Sequence, residues 1–91
     1  MAVQNTTDSP ELGTEVVNYL RQQNFKNVYL VEHIPLKLKQ TQIVVNHSHL
    51  KTANYVKNVL NFGRLKPNFK SEQQELTLKI GEDAHNLSVN N

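Results

Sequence analysis

Ninety-one residues, of which 37% are hydrophobic and 20% charged, suit one small globular domain with a thin core rather than two domains or a disordered chain. The absence of cysteine excludes a disulfide framework and thiolate chemistry. No apolar run approaches the ~18 residues of a membrane span. The first residues also lack the basic and apolar regions of a signal peptide.

The formal charge of +2 hides an asymmetry along the chain. Residues 1–25 set Arg21 against Asp8, Glu11 and Glu15. Residues 26–70 set Lys26, Lys37, Lys39, Lys51, Lys57, Arg64, Lys66 and Lys70 against Glu32 alone. Residues 71–91 return to Lys79 against Glu72, Glu75, Glu82 and Asp83. A basic middle of this kind either solvates the faces it lies on or meets a polyanion.

In chain order, residues 1–4 read as a stub of strand with Met1 and Val3 on one face. A chain that opens inside its first strand reads as an excised domain. Thr6 to Ser9 form a polar turn. Ser9-Pro10 then starts a helix, with the serine hydroxyl as cap and proline at the first helical position. Leu12, Val16, Tyr19 and Leu20 make one apolar stripe, and Gln23-Asn24-Phe25 closes the helix with Asn24 suited to the left-handed region.

Residues 27–32 are a strand candidate, demoted beyond Pro35 to an edge or a loop. Thr41 to Val45, rich in β-branched residues, is a stronger strand with an interior place in a sheet. Ser48 is positioned to cap a second helix running from about residue 49 to 62. Its inner stripe is Ala53, Val56, Val59 and Leu60, and Gly63 is its expected C-cap. Residues 65–69 read as a broken loop and 70–74 as a polar connector. Residues 75–80 alternate cleanly with Leu76, Leu78 and Ile80 inward, and Gly81 ends that strand. Residues 84–91 are expected to fray as a disordered tail.

This order predicts an α+β fold: β-α-β-β-α-β, a four-stranded sheet with two helices on one face, in a split β-α-β arrangement. The expected core is Leu12, Val16, Leu20, Phe25, Val28, Leu30, Ile43, Val45, Ala53, Val56, Leu60, Leu76, Leu78 and Ile80. No catalytic constellation is legible. Ser9, Ser48 and Ser71 sit where caps or loops want hydroxyls, and the three glycines are isolated, so no phosphate loop exists. His47-x-His49, with His33 and His85 elsewhere, lacks the ligand set of a structural zinc. Neither metal nor cofactor is expected.

The run Val3-Gln4-Asn5-Thr6-Thr7, then Pro10-Glu11-Leu12, then Gln23-Asn24-Phe25, resembles the opening of the LytR C-terminal domain family. Thr41-Gln42-Ile43-Val44 resembles that family's Thr-x-Val/Ile strand, and Leu76 to Asp83 its closing strand and Gly-x-Asp ending. The resemblance covers about residues 3–83. It departs at Thr6 and Asp8, where the family tends to have glycine, and at Asn24, which stands for the glycine before Phe25. Residues 1–83 are therefore expected to form the domain.

The resemblance implies a non-catalytic accessory domain of a membrane-anchored, extracytoplasmic bacterial envelope protein. In such proteins a separate LytR-CpsA-Psr domain transfers glycopolymers to the wall. The expected partners are wall glycan, an anionic envelope polymer or the catalytic domain of the parent protein, with the chain itself a monomer. The alternative is a regulatory module that contacts nucleic acid through its basic middle. In either case Lys37, Lys39, Lys51, Lys57, Arg64, Lys66 and Lys70 are the candidate polyanion patch, provided the second helix and its flanking loops converge at one edge.

Overall fold

A computed structural model describes residues 1–45, 49–68 and 75–89. Within them the chain forms β1 (Ala2–Asn5), α1 (Pro10–Gln22), β2 (Tyr29–Leu30), β3 (Gln42–Val45) and α2 (Leu50–Leu60). It continues through β4 (Arg64–Pro67), β5 (Thr77–Ile80), a 3-10 turn (Glu82–Ala84) and α3 (His85–Val89). Pro10 does occupy the first helical turn of α1, where its missing N–H costs nothing. Ser9 departs from expectation, because its hydroxyl makes no capping bond. Its N–H instead donates to Thr7 Oγ1 at 3.2 Å and its carbonyl accepts from the Leu12 N–H at 3.1 Å.

At the other end of α1, Asn24 adopts φ 71° and the Phe25 N–H reaches back to the Leu20 carbonyl at 3.1 Å. That left-handed stop is the one the sequence predicts. α2 stops in the same way at Asn61, φ 62°, rather than at Gly63. The asparagine comes first and turns the chain, while Gly63, φ 94°, serves the turn into β4 beside the Thr41 carbonyl. The cap expected from Ser48 lies outside the described residues.

The sheet has five strands in the order β2-β1-β5-β3-β4, not the four expected. β1 and β2 are parallel neighbours joined by α1, and β3 and β4 are parallel neighbours joined by α2. β5 lies between the two units, parallel to β1 and antiparallel to β3. The split arrangement is therefore replaced by two unsplit β-α-β units with the last strand inserted between them. The additional strand is β4, read from sequence as a loop because Leu65 is its lone apolar residue and Pro67 ends it. An edge strand tolerates both features.

Right-handed crossovers in two units that run antiparallel to each other place both helices on the same face. The helix contacts agree. Tyr19 Oη donates to the Val59 carbonyl at 3.2 Å, and the Phe25 ring meets Tyr55 edge-on with centroids 5.4 Å apart. Beneath them Val3, Val16, Leu20, Ile43, Val56, Leu78 and Ile80 are fully buried. Register brings Val3 and Ile43 against Leu78 from either side.

Two expected core residues fall short. Phe25 is half-buried, and Leu30 is 46% exposed because β2 is a two-residue edge strand, whose Leu30 side chain approaches α1 at Gly13. At the C-terminus the expected fraying from residue 84 gives way to helical turns that bury Ala84 and Leu87. Replacing the enclosed Leu20 or Val56 by Ala is expected to cost about 1–4 kcal/mol as a cavity opens. Urea unfolding of the two variants measures this, and wild-type midpoints would contradict the helix assignments.

Candidate functional site

The residues that carry the family resemblance meet in space where β1 and β5 end. Asn5, Thr6, Thr7 and Thr41 are polar yet at most 4% exposed. Burial of that kind requires partners for every donor and acceptor. Asn5 Oδ1 accepts from the Thr7 N–H at 2.9 Å and from Thr7 Oγ1 at 2.7 Å, while Asn5 Nδ2 donates to the Ser9 carbonyl at 2.8 Å. Thr6 Oγ1 donates to the Ile80 carbonyl at 2.7 Å and accepts from the Leu38 N–H at 3.2 Å. His33 Nε2 lies 2.8 Å from the Thr7 carbonyl, so that nitrogen carries the proton of this bond.

On the adjoining side, one oxygen of Asp83 accepts from the Thr41 N–H at 2.8 Å and from Thr41 Oγ1 at 2.6 Å. Thr41 Oγ1 in turn accepts from the Gly81 N–H at 2.9 Å. Gly81 is required by close approach: a Cβ there would sit 2.7 Å from Gln40 carbon and 2.8 Å from the Leu38 oxygen. These groups stitch the segment of residues 33–41 across the strand ends. No buried side-chain polar atom among the described residues lacks a partner, so the buried part of the cluster is engaged in holding the fold.

Among the described residues, the candidate cations are divided between the crossing segment, α2 and the sheet. Lys37, in the left-handed region at φ 53°, and Lys39 belong to the crossing segment. Lys37 Nζ is 3.6 Å from Asp8, an exposed pair of little energetic weight. Lys57 lines a depression with Gln40, Asn61 and Asp83 near this end. Lys51 lines another on the outer side of α2 with Asn54, Tyr55 and Asn58. Arg64 and Lys66 lie on the opposite layer. Leu65 between them packs on the core, so alternation sends its two neighbours to the helix-free face of the sheet. Lys70 lies outside the described residues.

One cation escapes the sequence grouping. Lys79 belongs to the acidic final stretch by sequence, but it alternates with the buried Leu78 and Ile80 and so shares the helix-free face with Arg64. Period-two alternation is the signal that places it there.

Among the described residues no group of His, Asp and Glu could hold a metal ion. His33 is engaged with Thr7, and His85 Nε2 lies 3.3 Å from Glu82. His47 is outside the described residues. The perturbed titrations belong to Tyr29 and Glu75. Hydrogen bonding to Glu75 raises the Tyr29 hydroxyl above its ordinary 10.0, and the same bond holds the Glu75 carboxyl below its usual range. Glu75→Gln should return Tyr29 toward 10.0, read by absorbance titration with Tyr19 and Tyr55 replaced by Phe. An unchanged Tyr29 would contradict the contact.

Asp83→Ala strands the buried Thr41 donors and is expected to cost roughly 1–3 kcal/mol. Asp83→Asn, which keeps an acceptor oxygen, should recover most of that in urea unfolding. Equal losses from both would show that Thr41 does not depend on this oxygen.

Comparison with known proteins completes the site. The family described as LytR cell envelope-related transcriptional attenuator matches residues 1–83. No curated protein matches the sequence. Among solved structures the chain is similar in fold to the C-terminal domain of Rv0431 in solution, with a TM-score of 0.58 and 10% sequence identity. The alignment covers 88% of this chain and 69% of the other.

Proposed function

The chain belongs to the LytR cell envelope-related transcriptional attenuator family, and on that premise we propose a non-catalytic accessory domain that binds an anionic envelope polymer. One observation carries the reading. Lys39, Lys51, Lys57, Arg64, Lys66 and Lys79 form no ion pair among the described residues, while the buried polar groups are satisfied internally. Excess charge left on the surface is available for long-range attraction of a polyanion.

The described residues contain no paired nucleophile and base beside a cavity, as acyl or glycosyl transfer requires. The placement that goes with this role is extracytoplasmic, within a membrane-anchored parent whose catalytic domain is a further partner. No helix among the described residues is long and apolar enough to cross a membrane.

Contacts of this type are Coulombic and screened by salt. The chain is expected to bind anionic wall glycan more weakly at ~300 mM than at ~50 mM salt, where the Debye length is longer. Fluorescence anisotropy of a labelled glycan reads the affinity. The chain should also leave a lipid-pyrophosphate glycan donor intact. Salt-independent binding, or turnover of the donor, would overturn the proposal.

A further inference from the structure

Both long helices pack on one side of the sheet; on the other, Gln4, Gln42, Val44, Thr77 and Lys79 are half-buried, Tyr29, Arg64 and Lys66 are exposed, and Ala2 is buried. Register resolves that side into two rows. One reads Tyr29, Ala2, Thr77, Val44, Lys66 from edge to edge, and the other Gln4, Lys79, Gln42, Arg64. Val44 stands outside the apolar cluster to which the helices contribute. Neither row contains a carboxylate. Three cations, Lys79, Arg64 and Lys66, therefore share one face, and none of them has an ion-pair partner among the described residues.

Their backbone spacing follows from strand geometry. Lys79 and Arg64 stand two strands apart, ~10 Å, and Arg64 and Lys66 two residues apart, ~7 Å. Gln42 lies between Lys79 and Arg64, and Thr77 beside Lys79 with Val44 between it and Lys66; the Gln42 amide and the Thr77 hydroxyl make no side-chain hydrogen bond among the described residues. Gln4 is already tied through Nε2 to the Glu32 carbonyl at 3.2 Å. Amides and hydroxyls exchange hydrogen bonds with polyol and sugar groups, and the cations answer periodic negative charge.

A sheet that reads single-stranded nucleic acid instead presents aromatic rings on which bases stack. The ring in these rows is Tyr29, which sits at the edge remote from the cations and whose hydroxyl donates to the Glu75 carboxylate.

We infer that the helix-free face of the sheet, centred on Gln42, Arg64, Lys66 and Lys79, binds a flexible sugar or polyol polymer bearing regularly spaced phosphate or carboxylate groups. The inference rests on the polyanion reading above and assigns it a surface. It sets the outer face of α2, with Lys51 and Lys57, outside the site.

Two probes separate the sources of charge: poly(glycerol phosphate) for phosphate and polygalacturonate for carboxylate, with oligo-dT as the nucleic-acid comparator. The test compares the whole chain with Arg64→Glu, Lys66→Glu, Lys79→Glu and with a charge-matched triple, Lys26→Glu, Lys51→Glu, Lys57→Glu. Reversal on the sheet face is expected to weaken polymer binding roughly tenfold or more, and the charge-matched reversal to weaken it at least several-fold less, through lost long-range attraction alone. Amide chemical shifts of the unsubstituted chain, recorded with polymer, should move in β3, β4 and β5. That measurement decides the question even if a variant fails to fold.

Tight binding of either anionic polymer with this pattern supports the inference. Equal loss from both triples, or shifts confined to α2, overturns the surface while the polyanion reading stands. Tighter binding of oligo-dT overturns the glycan occupant. Binding of none of the probes overturns the reading and the surface together.

Discussion

The fold depends on one crossing. The chain leaves β2 at the sheet edge and must return over the ends of β1 and β5 before β3 can begin on the far side. Residues 33–41 make that passage with little regular structure, so their backbone groups need partners outside a helix or ladder. Thr6 supplies two, Thr41 and Asp83 supply more, and the Glu82 and Asp83 N–H groups donate to the Leu38 and Lys39 carbonyls. The passage lies so close to Gly81 that a methyl group cannot be accommodated there without backbone movement. A charged acceptor at Asp83 is suited to this place, since charge-assisted hydrogen bonds are about twice as strong as neutral ones.

The crossing is closed only when β5 is in place, and β5 arrives near the end of the chain. Thr6 bonds to Ile80 across a separation of 74 residues, and β5 alone joins the β1-β2 unit to the β3-β4 unit in the sheet. Each β-α-β unit is local and inexpensive in loop entropy, whereas their union through a late central strand is not. Stability is thereby concentrated in a few long-range contacts around Leu78 and Ile80. It follows that neither half has a complete core without the last strand.

This division explains what could be read from the sequence. Helix positions, the left-handed stop at Asn24, the burial of Ile43, Leu78 and Ile80, and the placement of both helices on one face follow from local periodicity and chain handedness. The fifth strand does not, because Arg64-Leu65-Lys66-Pro67 carries a single apolar residue and a proline. It is a strand by virtue of its neighbour β3, not of its own pattern. Leu30 misleads in the opposite sense: it alternates like a core residue, but its strand is too short and too close to the edge to be covered. The turns that bury Ala84 and Leu87 offered only Ala84, Leu87 and Val89 as apolar residues in a polar stretch, too few to show a periodicity.

The described cations of the candidate patch are divided between layers for a related reason. Lys57 and Arg64 are close in sequence, yet the chain between them passes from the helix layer into the sheet, and alternation about Leu65 then aims Arg64 to the far side. Lys79 joins Arg64 from the acidic end of the chain by the same rule. Charge grouped along a sequence becomes charge grouped in space only if the elements share a layer. The motif residues Asn5, Thr6, Thr41, Gly81 and Asp83 are consumed in closing the crossing, and the core apolars in filling the space beneath the helices. What remains free of such bonds is the outward side of β3, β4 and β5. Changes at Gln42, Arg64, Lys66 or Lys79 remove no buried bond, so the scaffold permits this face to be recast for different ligands while the crossing that defines the fold stays as it is.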